Sequence, residues 1–271
     1  MRSWAAQVRI CNCFGEEKVT GVVVRESSGY DGVFRWHLFT EIGMPRQKRS
    51  DESGVIYHAL NRGNDRKRIF KKPEDYDAFI RILDVGLKKY SVELFSFSLM
   101  PNHWHLVLRP RKDGQMGRLL RWVSATHTLR YHGHYHRHGY GHLYQSRFRS
   151  FPVQSDEHFY VVCRYVERNP LRAGLVEAAE DWPHGSLFRW CSRPEPTPKI
   201  LSPWPIPRLR DWLKRVNTPL SEKELAAMRT SVNRGRPFGD ETWTDEIADR
   251  HGLWYTMRSI GRPRKTPPQQ K

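Results

Sequence analysis

Between residues 54 and 170 the apolar positions switch repeatedly between alternation and helical spacing, which predicts strands and helices in turn. The predicted strands cover residues 55–60, 92–100, 103–109 and 148–153. Predicted helices begin at Pro73, after Gly117 and after Ser155. The resulting order, βαββαβ followed by a helix, predicts a ferredoxin-like α+β fold, in which an antiparallel sheet carries helices on one face.

Single positions refine this outline. In the second strand, Phe95, Phe97 and Leu99 are expected on one side of the sheet. Ser155 is the expected N-cap of the third helix. Pro170 should end that helix at Asn169, because proline disfavours a helical residue before it. A loop rich in Gly, His and Tyr is expected over residues 133–141.

Composition shifts divide the chain into three parts. Residues 1–43 lack a sustained period and are expected to be an appendage or an over-extended start, whereas residues 44–190 hold the predicted fold. Residues 191–271 form a C-terminal basic extension, with a Pro-rich stiff linker and short helices predicted at 221–232 and 245–251. Its tail holds Arg262 and Arg264 in an extended cationic run that suits either the minor groove of A·T-rich DNA or plain solvation.

The net charge of the chain indicates what kind of partner it binds. The 271 residues hold 46 Lys and Arg against 29 Asp and Glu, a net charge of +17, and residues 1–43 contribute none of it because their five basic and five acidic side chains cancel. Such a surplus attracts polyanions, of which nucleic acid is the usual one, although a merely basic protein is the alternative. No apolar run approaches the ~18 residues of a membrane span. Four cysteines are too few for a disulfide framework, so a cytoplasmic protein is expected.

The sharpest local signal is His103-Trp104-His105 in the third predicted strand. Residues i and i+2 of a strand project from one face, so both imidazoles point the same way and form half of a divalent-metal site. Trp104 should point oppositely, toward a core under the helices. Chance pairing is the alternative, because the chain holds 13 histidines and repeats the H-x-H spacing between His132 and His138.

A second signal is Tyr165 followed four residues later by Asn169. Positions i and i+4 are neighbours on a helix, so a phenol hydroxyl and a carboxamide are expected side by side. Taken alone, the pattern favours a half-buried Tyr with an Asn that caps the helix end.

Four motifs that follow one another along the chain resemble those of a known family. They are residues 57–64 (YHALNRGN), 100–105 (MPNHWH), 141–148 (GHLYQSRF) and 165–176 (YVERNPLRAGLV). In this the chain resembles the single-tyrosine HUH transposases, specifically their REP-associated tyrosine transposase branch. The resemblance covers most of residues 44–271 and none of residues 1–43.

The resemblance implies a metal-dependent single-strand DNA endonuclease and strand transferase that acts on hairpin-forming repeats. Tyr165 matches the nucleophile, which forms a 5′-phosphotyrosine, and His103, His105 and Asn169 match the ligands of a divalent cation. Mg²⁺ or Mn²⁺ is expected rather than Zn²⁺, because an amide ligand with open positions favours harder ions. Relatives include dimers that share the Tyr between subunits as well as monomers, so a homodimer and a monomer both remain open.

Polar and cationic residues around the motifs are expected to contact DNA in a nucleoid-associated protein. They are Asn61, Arg62, Arg66, Arg147, Arg149, Arg168, Arg172, Arg262 and Arg264. Two other functions are open. The first is a domesticated protein that binds repeat elements without cutting them. The second is a metal-dependent hydrolase of small substrates that uses the histidine pair.

Overall fold

The computed structural model describes residues 50–137, 139 and 141–258. The predictions for residues 1–43 and for the tail with Arg262 and Arg264 lie outside the described residues. In the part of the chain that is described, no helix is both long and apolar enough to span a membrane.

The fold is built on one four-stranded antiparallel sheet. Its strands are β1 (Ile56–Arg62), β2 (Val92–Met100), β3 (His103–Pro110) and β4 (Arg149–Val153). They lie in the order β2-β3-β1-β4, so β3 separates β1 from β2 and hydrogen-bonds to both. This is the split βαβ arrangement of a ferredoxin-like sheet, and the predicted α+β fold is confirmed.

Helices occupy the connections and the C-terminal part. They are α1 (Pro73–Lys89), α2 (Gln115–His134), α3 (Glu157–Glu167), α4 (Asn169–Arg172), α5 (Ser186–Cys191), α6 (Trp212–Asn217), α7 (Glu222–Arg234), α8 (Glu241–His251) and α9 (Trp254–Met257). The helix α2 continues to His134, so Gly133 and His134 lie on a helix and not in the loop predicted over residues 133–141.

The helices α1 and α2 cover one face of the sheet, as predicted. Trp104 and Leu106 of β3 are fully buried in the same cluster as Phe79 of α1 and Val123 of α2. The predicted direction of Trp104 is therefore confirmed, and the two histidines that flank it must point to the other face.

The helix α3 covers that other face. Its Phe159 and Val162 pack in one buried cluster with Val107 of β3 and Phe151 of β4. The sheet is thus enclosed between two layers, and residues that alternate along β1 and β3 belong to different cores. This second layer is what brings α3 over the histidines.

A β-bulge makes one of the sequence predictions wrong. The pairing of β2 with β3 shifts register between Leu94 and Ser96. Phe95 therefore lies in the α3 layer, whereas Phe97 and Leu99 lie in the layer of α1 and α2. An extra residue in one strand reverses the side-chain alternation beyond it, and the apolar pattern of this strand does not show that reversal.

The start and end of α3 also differ from the sequence prediction. The N-cap is Asp156 and not Ser155, and its carboxylate accepts a hydrogen bond from the His158 backbone N–H. The helix ends at Glu167, and Asn169 begins α4, where Pro170 occupies the first turn and its missing N–H costs nothing. Arg168 between them keeps helical φ and ψ angles, so the two helices follow one another closely.

The segment after α5 packs against the sheet. Ser202 N–H donates to the Leu94 carbonyl at 2.8 Å, and the Trp204 indole donates to the Phe95 carbonyl at 2.9 Å. Trp212 of α6 is 1% exposed within the α3 layer. The predicted short helices exist as α7 and α8, which begin after the caps Ser221 and Asp240. The division of the chain at residue 190 stays a prediction.

Candidate active site

Three histidines meet on the face of the sheet that α3 covers. The His103 and His105 rings lie 4.9 Å apart at 83°, and the ring of His58 from β1 stacks on His105 at 5.0 Å. His58 is fully buried and His105 is 3% exposed, whereas His103 is partly exposed at the end of β3. The expected pair of imidazoles is therefore present, with a third ring behind it.

The helix α3 brings Tyr165 to these rings. Its ring lies 5.9 Å from that of His105 and 6.4 Å from that of His58, in both cases nearly perpendicular. Tyr165 is 6% exposed. The phenol and the imidazoles thus come together within a single chain, without a residue from a second copy.

Arg172 connects Asn169 to Tyr165. The amide of Asn169 is 2% exposed, and its Oδ1 accepts a hydrogen bond from Arg172 at 2.9 Å. Its Nδ2 is buried with no partner among the described residues. The Arg172 guanidinium also lies 5.1 Å from the centre of the Tyr165 ring, so one cation contacts both residues of the predicted i, i+4 pair.

The hydrogen bonds of His103 fix which of its ring nitrogens is free. Asn102 donates through Nδ2 to the Arg66 carbonyl, so its Oδ1 faces His103 and accepts from Nδ1 at 2.6 Å. The proton of His103 is then on Nδ1, and Nε2 keeps an open lone pair.

His58 contacts Nδ1 of His105, as Asn102 contacts Nδ1 of His103. The His105 Nδ1 and the His58 Nε2 lie 2.9 Å apart. With His105 as the donor, its Nε2 is open as a ligand, and His58 carries its own proton on Nδ1, which is buried without a partner in the described chain. A ligating histidine normally has such a second partner for its other nitrogen.

Burial keeps the three rings neutral. It lowers the pKa of His58 to about 3 and that of His103 to about 4, and for His103 the nearby guanidinium groups of Arg62 and Arg172 add to the effect. Burial, followed by the neighbouring imidazoles, lowers the pKa of His105 well below its usual 6.5. At neutral pH the open nitrogens are thus unprotonated, as ligands must be.

The donor set fits a divalent cation if an amide completes it. Nε2 of His103 is open, and Nε2 of His105 is open when its Nδ1 donates to His58, but the described residues hold no group of three or more His, Cys, Asp or Glu that could bind a metal. The third protein ligand would have to be Asn169, whose Oδ1 already accepts from Arg172 and has a second lone pair to offer. Because these ligands are neutral, the positive charge of a bound cation would be balanced by an anionic substrate.

Sequence reasoning missed two residues that organise this site. His58 has a visible signal, since it is a polar residue in an otherwise apolar strand. Glu167 has none, because a glutamate two residues after Tyr165 looks like a helix surface residue. It is instead fully buried, and it accepts hydrogen bonds from Ser186 at 2.7 Å and from the Trp212 indole at 2.8 Å.

The structure places the residues expected to contact DNA at several locations. Asn61, Arg62, Arg66 and Arg149 line one cavity beside the site. Arg147 is exposed and is close in sequence to Ser146 and Arg149, which line the cavity. Arg172 lies at the site itself, beside the Tyr165 ring. The guanidinium of Arg168, by contrast, donates to the carbonyl groups of Val216 and Asn217 at the end of α6.

A family model matches the segment that carries the histidines, Tyr165 and Asn169. Residues 51–169 match the family model described as IS200-like transposases. Among solved structures, a REP-associated tyrosine transposase bound to a REP hairpin is similar, at 17% identity and a TM-score of 0.45, over 61% of this chain and 99% of that one. A crystal structure of a putative transposase from Deinococcus radiodurans R1 is similar at 16% identity and a TM-score of 0.33, over 48% and 95%. No protein of curated function matches the chain.

Proposed function

We propose that this protein is a transposase that cleaves and rejoins single-stranded DNA, with Tyr165 as the nucleophile; the match of residues 51–169 to the model of IS200-like transposases supports this proposal. The observation that carries the proposal is the meeting of the Tyr165 ring with the His105 ring, 5.9 Å away on the enclosed face of the sheet. A structural tyrosine has no need of two imidazoles with open Nε2 atoms beside it.

The reaction follows from what these side chains can do. The phenol of Tyr165 releases its proton to solvent as its oxygen attacks a phosphodiester, so that a bond from this oxygen to phosphorus forms and the bond from phosphorus to O3′ breaks. The product is a 5′-phosphotyrosine, and the departing oxygen takes up a proton to become a free 3′-OH. Because the covalent step conserves the phosphodiester energy, a DNA 3′-OH can reverse it without ATP.

The chain supplies positive charge and position for this step. His103, His105 and Asn169 would hold a divalent cation such as Mg²⁺ or Mn²⁺, which would supply charge stabilisation to the phosphate. Arg172 adds a guanidinium beside the Tyr165 ring, where it can stabilise negative charge on the phosphodiester. His58 and Asn102 hold the two imidazoles in the orientation that ligation needs.

The substrate is proposed from the chemistry of the approach and from the motif resemblance. A helix-borne phenol under a sheet can reach a backbone that bends freely, which favours an unpaired strand or a hairpin junction over a duplex. The motifs at 57–64, 100–105, 141–148 and 165–176 extend this proposal to repeats that fold as hairpins.

The test is a covalent adduct. The full chain is incubated with Mn²⁺ and a labelled hairpin oligonucleotide that carries an unpaired flank, and the products are separated under denaturing conditions. The wild type should give a slowly migrating protein–DNA species. Tyr165→Phe keeps the ring and removes the oxygen, so it should give no adduct and still bind the DNA. Equal cleavage by both proteins would show that the nucleophile is misassigned.

A second candidate is a domesticated DNA-binding protein that does not cut. The contact that favours it is the hydrogen bond from Arg172 to Asn169 Oδ1, which occupies the third candidate ligand. In that case the wild type and Tyr165→Phe would bind the hairpin equally, and neither would form an adduct.

A further inference from the structure

A cavity of about 220 Å³ lies next to the candidate active site, between the ends of β1 and β4 and the C-terminal end of α7. Its walls come from three distant parts of the chain. They are Leu60, Asn61, Arg62 and Arg66 from the first, Gln145, Ser146 and Arg149 from the second, and Val232 and Asn233 from the third. The last two belong to α7, which lies outside the matched segment 51–169.

The cavity holds three cationic groups without a counter-charge. Arg62, Arg66 and Arg149 all line it, and none of them takes part in a salt bridge within residues 50–137 and 141–258. Like charges gathered around a small space repel each other, and an anion relieves that repulsion. The cavity therefore suits a ligand that carries a phosphate.

Three amide side chains share the same space. Asn61 is 5% exposed and accepts a hydrogen bond from the Arg62 backbone N–H through Oδ1, which leaves its NH₂ group to donate elsewhere. Gln145 and Asn233 reach the cavity from two further elements. Amides and guanidinium groups are the side chains that read the edges of bases, Arg on guanine and Asn or Gln on adenine.

The volume and the position of the cavity limit which part of a nucleic acid it can bind. The volume is smaller than the ~300–1,000 Å³ of cavities that hold drug-sized ligands, so one base fits and a stretch of strand does not. Arg62 pairs in register with His103, and the Gln145 N–H donates to the Arg62 carbonyl at 2.9 Å. The cavity is therefore contiguous with the imidazole pair.

We propose that this cavity binds one unpaired purine nucleotide of the DNA strand whose phosphodiester reaches Tyr165, with its base held by Asn61, Gln145 and Asn233 and its phosphate by the arginines. The C-terminal helix α7 then contributes to the choice of DNA sequence. The inference rests on the DNA-binding part of the proposed function and does not require cleavage.

The experiment measures binding without divalent cations, by fluorescence anisotropy of hairpins with an unpaired flank. Each flank position is replaced in turn by an abasic site. For the wild type, one position should weaken binding about tenfold, since a good base contact is worth ~1–3 kcal/mol. In Asn233→Ala and in Gln145→Ala that position should lose most of its penalty, and the other positions should be unchanged.

The matched control is Arg229→Ala, which removes an exposed cation from the same helix α7 outside the cavity. It should keep the tenfold penalty at the sensitive position. A purine at that position should bind more tightly than a pyrimidine.

The outcomes separate this inference from the proposed function. A wild type with no sensitive position, a penalty that persists unchanged in Asn233→Ala and Gln145→Ala, or equal binding of purine and pyrimidine would overturn the inference. An adduct that forms despite any of these results would leave the cleavage proposal standing. A sensitive position without an adduct would support the cavity and reject the cleavage mechanism.

Discussion

His58 holds a ring nitrogen without a partner inside the fold. Its side chain is fully buried, its Nδ1 has no hydrogen bond within the described chain, and its Nε2 faces His105. An unsatisfied buried polar atom costs about 1–3 kcal/mol. A hydrophobic residue would avoid that cost, so the contact with His105 is the physical reason that we see for a histidine here.

Replacement of His58 should therefore weaken metal binding. In His58→Phe, the His105 Nδ1 loses its acceptor and the ring is free to rotate or change tautomer, so Mn²⁺ affinity should fall by about 10–100-fold. In His58→Gln the amide oxygen can still accept from Nδ1, and most of the affinity should return. Isothermal titration with Mn²⁺ measures both. Wild-type affinity in His58→Phe would show that the contact does not orient the ligand.

Besides its apolar packing, the helix α3 is tied to the rest of the fold by a buried carboxylate at its C-terminal end. Glu167 accepts from Ser96 and Ser186 and from the Trp212 indole, which ties α3 to β2, α5 and α6. Its nearest cation is Arg208, at 4.0 Å, whose guanidinium lies 3.7 Å from the centre of the Trp204 ring. Burial raises the pKa of Glu167 despite these contacts. Tyr165 is two residues away, so this anchor sets the position of the phenol.

Removal of the carboxylate should destabilise the protein strongly. Glu167→Ala leaves the Trp212 indole N–H and the Ser186 hydroxyl without their acceptor and the Arg208 guanidinium without its nearest anion. Loss of one partner of a buried pair costs about 3–5 kcal/mol. The free energy of unfolding in urea measures this change. Glu177→Ala, which removes an exposed glutamate shortly after α4, should change it by less than ~0.5 kcal/mol. A similar small change in Glu167→Ala would mean that Glu167 is not the anchor.

Four histidines, of which His103 is partly exposed and the others are buried, make the stability of the protein sensitive to acid. Burial lowers the pKa of His58 to about 3, those of His103 and His127 to about 4, and that of His105 well below 6.5. Because the folded state disfavours the protonated rings, their contribution to stability is complete above pH 6.5. It is lost as the pH falls from 6.5 toward 4, where the unfolded chain takes up protons and the folded chain does not.

His127 allows this dependence to be measured away from the candidate active site. It lies in the α1 and α2 layer, where its Nδ1 is 2.7 Å from the Tyr144 hydroxyl, which in turn accepts from the Trp104 indole. A pKa near 4 corresponds to a loss on the order of 2 kcal/mol between pH 7.5 and pH 5. Urea unfolding at both pH values should show a smaller loss in His127→Gln than in the wild type. An equal loss would assign the acid sensitivity to other groups.

Local order along the chain was enough to predict the elements and the pairs within them. The periods of apolar residues predicted all four strands and the helices α1, α2, α3, α7 and α8, with errors of a few residues at the ends. The i, i+2 spacing of His103 and His105 and the i, i+4 spacing of Tyr165 and Asn169 depend only on the geometry of one strand and one helical run. The spacing was sufficient to mark the histidine pair as a candidate, whereas Tyr165 and Asn169 became candidates only through the resemblance that the four motifs carry.

What the sequence left open are the contacts between segments that lie far apart. His58 meets His105 because β1 pairs with β3, Phe95 changes sides because of a bulge, and Glu167 is buried because α5 and α6 fold over α3. The cavity joins residues near positions 61, 145 and 233. No local period encodes such meetings, since they depend on how two layers pack on the sheet, and packing is a property of the folded whole.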